Sequence, residues 1–84
     1  MKDCQKSIHI EYYAVLREER GMGAETVQTA AETPGALYQE LADKHGFTLR
    51  ADQLKVAVNT EIRDWESPVS DGDTVIFLPP VSGG

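Results

Sequence analysis

The fold is decided near the end of the chain, by the stretch Asp71-Gly72-Asp73-Thr74-Val75-Ile76-Phe77-Leu78-Pro79-Pro80. Residues 71–73 are a strong turn signal, because a glycine between two short polar residues suits a tight turn. Residues 74–78 predict a strand that is apolar without alternation, as expected for one covered on both faces or central in its sheet. Pro79 and Pro80 end this strand, since proline donates no N–H to a neighbouring strand and favours an extended backbone. We therefore expect a single domain over residues 1–84, with a flexible tail over residues 79–84.

The tail ends in Val81-Ser82-Gly83-Gly84. Its last three residues carry little side-chain bulk, so this end could enter a channel too narrow for most residues. Ordering the tail in a partner would cost roughly 1–2 kcal/mol per residue in backbone entropy, which contacts with the partner must offset. A terminal carboxylate is an unreactive anion at pH 7 and becomes an acyl donor only when activated, for instance as an acyl-adenylate made with ATP. A terminal Gly-Gly alone is more often incidental, and here the preceding strand and prolines give it weight.

A hairpin is predicted at the other end of the chain. Residues 8–16 read as a first strand, because Ile8, Ile10 and later apolar side chains recur with a two-residue period. Residues 17–23 form a polar turn region punctuated by glycine, and residues 25–29 form a short second strand.

One helix is predicted over residues 34–45. Thr33 can cap it and Pro34 suits its first position, where the missing N–H is not needed. Leucines follow at helical spacing, and Gly46 fits the left-handed position just past the end. A crossover helix in this place would cover one face of a sheet.

The remaining segments complete a small mixed sheet. Residues 54–58 predict a third strand, and residues 62–65 hold a very short strand or a loop. The order strand, strand, helix, strand, weak strand, strand indicates an α+β protein of the β-grasp or ubiquitin-like type, whose mixed sheet packs on one main helix. The first and last strands should then lie side by side in parallel at the sheet centre.

Composition limits the function classes. The 84 residues carry a formal net charge of −6, which argues against nucleic acid and anionic membrane surfaces as partners and permits a partner with a basic face. The single cysteine, Cys4, excludes an internal disulfide and a four-cysteine metal site. No signal peptide or membrane span is recognisable, so we expect a cytoplasmic protein.

A conventional active site is hard to assemble from this sequence. The two histidines, His9 and His45, lie far apart and are best explained structurally. Asp71 and Asp73 are more often turn residues than metal ligands when no further ligand is near. Trp65 is more readily a lid on a small core than an anchor for a partner. We therefore expect no bound metal, and the C-terminus remains the candidate site.

The sequence closely resembles the small subunit of molybdopterin synthase, a family of ubiquitin-like (MoaD-like) sulfur carriers. Residues 12–21 (YYAVLREERG) look like the family's aromatic-aromatic-Ala-x-x-Arg-Glu-x-x-Gly opening. Residues 56–59 (VAVN) are similar to its third-strand signature, and residues 71–84 (DGDTVIFLPPVSGG) resemble its C-terminal block throughout. The resemblance runs from about Ile8 onward. The first residues extend beyond the family's usual start, and residues 46–54 match no signature.

The resemblance implies a role for each residue of the tail. Gly84 would carry the transferred group, first as an adenylate and then as a thiocarboxylate, while Val81, Ser82 and Gly83 would thread a channel. Phe77, Pro79 and Pro80 would help to form the surface that docks on a partner.

The resemblance also implies the partners. A ubiquitin-activating-type adenylating enzyme would use ATP, and a persulfide donor would supply the sulfur. The large synthase subunit, in a heterotetrameric complex, would accept the tail and hold the residues that convert a cyclic pyranopterin precursor into molybdopterin. The chain itself would bind no cofactor and act as a sulfur-donor subunit that does not itself catalyse the reaction.

Two alternatives stay open at this point. One is the sulfur carrier of the thiamine pathway, which also ends in Gly-Gly, although the Pro-Pro-Val-Ser lead-in favours the molybdopterin branch. The other is a ubiquitin-related protein modifier, which begins with the same adenylation but joins Gly84 to lysines. A ferredoxin-like domain is excluded, because an iron–sulfur cluster needs several cysteines.

Overall fold

The computed structural model describes residues 5–79, and within them the sheet and the main helix follow the predicted order. The strands and helices, in chain order, are β1 (Lys6–Tyr12), α1 (Val15–Arg20), β2 (Ala24–Thr29), α2 (Pro34–His45), a 3₁₀ turn (Ala51–Gln53), β3 (Lys55–Val58), β4 (Glu61–Arg63) and β5 (Thr74–Leu78).

The five strands of the described chain form one mixed sheet in the order β2-β1-β5-β3-β4. β1 and β5 run parallel, with Ile10 beside Val75 and Tyr12 beside Phe77. The other neighbouring pairs are antiparallel. This confirms that the first and last strands lie side by side in parallel and that β5 occupies the centre of the sheet.

Helix α2 has the predicted bounds because both predicted caps form. The Thr33 hydroxyl accepts a hydrogen bond from the Ala36 N–H at 3.1 Å. Gly46 adopts φ 72°, and its N–H donates to the Ala42 carbonyl at 2.8 Å. Between these caps, Leu37 and Leu41 are buried against the sheet. The helix therefore covers one sheet face, as the β-grasp arrangement requires.

The predicted first strand, residues 8–16, is wrong in its last part. β1 ends at Tyr12, and Ala14 takes φ 55° and ψ −127°, which turns the chain into helix α1. The Leu16 N–H donates to the Tyr13 carbonyl at 3.2 Å across this turn. Leu16 is fully buried, but it belongs to helix α1 and not to a strand. The polar region after it, predicted as a turn, is therefore mostly the helix α1.

Two smaller expectations also change. β5 is not equally covered on both faces, because Val75 and Phe77 are buried while Ile76 and Leu78 are half-buried on the opposite face. The third strand starts at Lys55, because Leu54 ends the 3₁₀ turn.

Candidate functional site

The tail follows directly after β5. Leu78 is the last strand residue and Pro79, half-buried, follows it. The remaining tail residues of the predicted site, Pro80, Val81, Ser82, Gly83 and Gly84, lie outside the described residues. The described part of the site is therefore the root of the tail and the surface around it.

The root of the tail is held from both sides. On one side Tyr12 lies beside Phe77 in the parallel pair, and on the other Lys55 lies beside Leu78 in the antiparallel pair. A strand that is paired along both edges has its backbone groups bonded on both sides. The last strand residue before the tail, Leu78, therefore has a fixed position at the middle of the sheet.

Phe77 requires a correction to its predicted docking role. Its side chain has no exposed surface, and its ring packs against Tyr38 at 5.1 Å and Trp65 at 6.0 Å between centroids. A ring buried in this way cannot offer its own surface to a partner. Phe77 therefore supports the site from the core, and Trp65 lies over that core, as the sequence predicted.

Sequence reasoning missed an apolar patch on the sheet face opposite α2. The strand registers place Ile76 beside Ala57, and Ala57 beside Ile62. Ile62 is 60% exposed. Tyr13 is 44% exposed, and its hydroxyl bonds to Glu11, which lies beside Ile76 in the register. We call these five residues, which share one face next to the tail root, the open-face patch: Tyr13, Ala57, Ile62, Ile76 and Leu78. Exposed apolar surface of this kind marks interaction sites. The apolar run along β5 has no alternation, so the sequence did not show which face stays open.

The turn after β1 fixes the edge of the open-face patch. The Tyr13 hydroxyl donates to the Glu11 carboxylate at 2.8 Å, and this hydrogen bond raises the pKa of the Tyr13 phenol. The following residue, Ala14, has a positive φ that glycine adopts far more readily than alanine. Strained residues of this kind persist where their surroundings determine the conformation and they cluster at functional sites. Here the strained turn lies at the end of the sheet from which the tail leaves.

A cluster of charged and polar side chains joins β1, α1 and β2. The Glu25 carboxylate accepts hydrogen bonds from the Arg20 guanidinium at 2.7 and 2.9 Å and from the Tyr12 hydroxyl at 2.6 Å. The Arg20 hydrogen bonds hold the pKa of Glu25 down at about 2, and the Tyr12 hydrogen bond acts in the same direction. Burial is the main cause that raises the pKa of Tyr12. Glu25 therefore stays ionised over the whole physiological pH range, and the cluster has a structural role.

The other candidate groups have structural surroundings. His45 lies at the end of α2, and burial lowers the pKa of its imidazole. Asp71 accepts the Ser7 N–H at 2.7 Å and Asp73 accepts the Ser70 N–H at 2.8 Å, as turn residues do. Within residues 5–79 no three His, Cys, Asp or Glu side chains come together as metal ligands. In the same part of the chain, every helix is too short or too polar to cross a membrane.

The sheet order and the single main helix define a ubiquitin-like β-grasp protein. The chain belongs to the ThiS family, whose model matches residues 10–84, and within it is a MoaD-like protein. It is 36% identical over 80 residues to the molybdopterin synthase sulfur carrier subunit of Escherichia coli, covering 92% of this chain and 99% of that relative.

Two solved structures support the same placement. Small archaeal modifier protein 1 of Haloferax volcanii is 26% identical, with a TM-score of 0.76 over 93% of this chain and 99% of that one. A chain in the protein–protein complex of subunits 1 and 2 of the molybdopterin-converting factor from Helicobacter pylori matches at 25% identity, with a TM-score of 0.63 over 93% of this chain and 99% of that one.

Proposed function

We propose that this chain is the sulfur carrier subunit of a molybdopterin synthase and that Gly84 carries the sulfur as a thiocarboxylate. The observation that carries the proposal is the 36% identity, over nearly the full length of both chains, to a protein named for that role. The structure agrees with a carrier in two respects. Its tail starts from a fixed root in the central strand, and an open-face patch lies beside that root.

The chemistry begins at the terminal carboxylate. An adenylating enzyme would join a carboxylate oxygen of Gly84 to the α-phosphorus of ATP, with release of pyrophosphate. The terminal sulfur of a persulfide then attacks the acyl carbon, the C–O bond to AMP breaks, and AMP leaves. A second thiol of the donor attacks the remaining S–S bond, forms a disulfide, and releases the thiocarboxylate. Glycine suits these steps because no side chain hinders attack on its carbonyl.

A carrier needs a surface that its partners recognise. We assign this role to the open-face patch, because it combines exposed Ile62 and Tyr13 with half-buried Ile76 and Leu78. An apolar patch offers area that a partner can remove from water at about 25 cal/mol per Å². Docking there would orient the tail toward the partner's pocket, since the root of the tail borders the patch.

The large subunit of the synthase is the proposed acceptor-side partner. The Helicobacter pylori relative has been solved as a complex of two subunits of the molybdopterin-converting factor. By this reading the large subunit holds the reactive groups. The thiamine-pathway carrier is the weaker alternative, because curated relatives named for the molybdopterin synthase cover 92% of this chain or more.

Single-turnover transfer tests the proposal. The thiocarboxylate form of the full chain is mixed with the large subunit and the pyranopterin precursor, and dithiolene formation is followed together with the mass of the chain. The proposal predicts that the sulfur leaves the chain as the dithiolene forms, and that the carboxylate form yields no product. If the thiocarboxylate persists with the large subunit and the precursor but is consumed by a thiazole-forming enzyme, the chain belongs instead to the thiamine pathway.

A protein modifier is the second candidate function. The specific observation in its favour is the similarity to small archaeal modifier protein 1, at a TM-score of 0.76. A modifier would join the Gly84 carbonyl to the ε-amino group of a lysine, with loss of AMP from the same adenylate. Mass spectrometry of trypsin-digested cell extracts, searched for lysines that bear residues 64–84, the segment after the last arginine, would distinguish the two uses.

A further inference from the structure

The turn between β3 and β4 has an unusual backbone. Two residues, Asn59 and Thr60, join the paired residues Val58 and Glu61. Both have positive φ, of 53° and 73° respectively, which is the requirement of a type I′ hairpin turn and which glycine meets most easily at the second position. A β-branched residue such as threonine adopts positive φ only at a cost in conformational energy. This turn therefore depends on stabilisation by its surroundings.

Asn59 provides this stabilisation through three hydrogen bonds to residues 73 and 74. Its backbone N–H donates to the Thr74 carbonyl at 2.8 Å, and its side-chain oxygen accepts the Thr74 N–H at 3.0 Å. Its side-chain amide donates to one oxygen of the Asp73 carboxylate at 2.9 Å, and the other oxygen accepts the Ser70 N–H. We call Asn59, Asp73 and Thr74, with these three bonds, the turn clamp. It joins two motifs of the sequence, VAVN at residues 56–59 and DGD at residues 71–73.

The position of β4 depends on this turn. All three residues of β4 are exposed, and within the described chain the strand lies at one end of the sheet and pairs only with β3. Turn type and loop length set the pairing of a hairpin, and a shift of one residue would move every side chain of β4 to the opposite face. The turn clamp therefore determines that Ile62 lies on the same face as Ala57, its partner in the register.

Ile62 is the most exposed member of the open-face patch, at 60%. Its neighbour Ala57 is nearly buried, so the apolar area on this side of the patch comes mainly from Ile62. Asn59 bonds to the residues at the start of β5, whereas the tail follows the end of that strand. A loss of the turn clamp should therefore affect docking at the patch and leave the sulfur chemistry of the tail intact.

We propose that Asn59 is a positioning residue of the docking surface, which holds Ile62 in the open-face patch through the turn clamp. The inference rests on the proposed function, because it names a residue on which the docking role of the patch depends. Asn59 itself does not belong to the patch. Its effect on a partner is transmitted through the turn to Ile62, and this dependence can be measured.

NMR of the full chain tests the positioning without any partner. The unsubstituted chain should show a nuclear Overhauser contact between the backbones of Ala57 and Ile62, which are paired across the two strands. Asn59→Ala removes two of the three bonds of the turn clamp and should weaken this contact. Preserved amide shifts in β1 and α2 verify that the variant folds. An unchanged contact between Ala57 and Ile62 in Asn59→Ala would overturn the proposal.

An exchange of the two clamp side chains is the matched control. Asn59→Asp alone places two carboxylates against each other and should weaken the same cross-strand contact. With Asp73→Asn added, an amide again faces a carboxylate, and the N–H groups of Ser70 and Thr74 keep their acceptors. The double exchange leaves the net charge unchanged and should restore the contact. A folded double exchange without the contact would contradict the turn clamp.

Titration calorimetry with the large subunit tests the docking role. Asn59→Ala should weaken binding about threefold or more, and Ile62→Ala about fivefold or more. When both are combined, Asn59→Ala should add less than about a twofold loss, because the side chain through which it acts is already removed. In single-turnover transfer from the thiocarboxylate form, the rate at saturating large subunit should not change in Asn59→Ala.

The outcomes separate this inference from the proposed function. Losses that simply multiply in the combined variant would overturn the inference, because Asn59 would then act independently of Ile62. A lower rate at saturating large subunit with unchanged affinity would also overturn it. Absence of binding by the unsubstituted chain would instead overturn the proposed function, and the docking role of Asn59 with it.

Discussion

The rings of Phe77 and Trp65 lie nearly parallel, with their centroids 6.0 Å apart and their planes at 9°. Phe77 belongs to β5, one residue before Leu78, whereas Trp65 follows β4. The Trp65 carbonyl accepts the Gly35 N–H at 2.9 Å, and a Cβ added at Gly35 would meet that carbonyl at 3.2 Å. The strand that carries the tail is therefore joined through Trp65 to the start of α2.

Phe77→Ala should destabilise the domain by about 3–5 kcal/mol, because it removes a fully buried ring from this stack. Equilibrium unfolding in urea measures the change. Ile76→Ala is the matched control on the half-buried face of the same strand and should cost clearly less. If the Phe77→Ala variant and the unsubstituted protein had the same urea midpoint, the core position of this ring would be contradicted.

Ile62→Asp should weaken binding to the large subunit by at least about tenfold, since it places a charge in the open-face patch. Ile62 is 60% exposed, so the free energy of unfolding should change by no more than about 0.5 kcal/mol. Titration calorimetry with the large subunit gives the affinity. Gln39→Asp adds the same charge on the exposed side of α2 and should leave the affinity unchanged. Equal losses for both variants would show that net charge, and not the patch, controls binding.

Ala14→Gly should stabilise the domain by up to about 1 kcal/mol, because glycine adopts the observed φ of 55° without strain. The same substitution at Ala36, in α2, should instead destabilise it by about 0.5–1 kcal/mol. Thermal unfolding of the two variants side by side measures this difference in sign. Destabilisation by both would argue against a strained turn after β1.

The free energy of unfolding of the domain should decrease in acid as Glu25 becomes protonated. The pKa of Glu25 is about 2 in the folded chain, below its ordinary value, so its contribution is complete above the ordinary pKa of 4.5. That contribution, roughly 1–3 kcal/mol, is lost as the pH falls from about 4.5 toward 2. Glu25→Gln should be less stable at neutral pH and should lose less of its remaining stability over this acid interval. Identical acid unfolding curves for the two proteins would contradict the role of the Arg20–Glu25 ion pair.

Local signals predicted α2 and β5 because few residues decide them. Thr33, Pro34 and Gly46 each favour one backbone conformation, and the structure shows the caps that they predict. The parallel pairing of β1 with β5 followed from the order of elements, since a crossover helix separates the early hairpin from the later strands.

Helix α1 was missed because the period of two continues past the real end of β1. Residues 8–16 keep apolar side chains at alternate positions, and only the unusual φ of Ala14 interrupts them. The burial of Phe77 and the open-face patch depend on which face α2 covers, and an unbroken apolar run does not reveal that face. The Glu25 cluster joins residues from β1, α1 and β2, so it emerges only from tertiary structure.

The intact mass of the chain after incubation with an adenylating enzyme, ATP and a persulfide donor tests the central claim most directly. The account predicts replacement of one oxygen by sulfur, and no change when Gly84 is deleted. That deletion should leave stability within about 0.5 kcal/mol, because the buried cluster of the described chain runs from Ile8 to Phe77. An unchanged mass, with an enzyme that demonstrably loads a related carrier, would contradict a sulfur-carrying role for this chain.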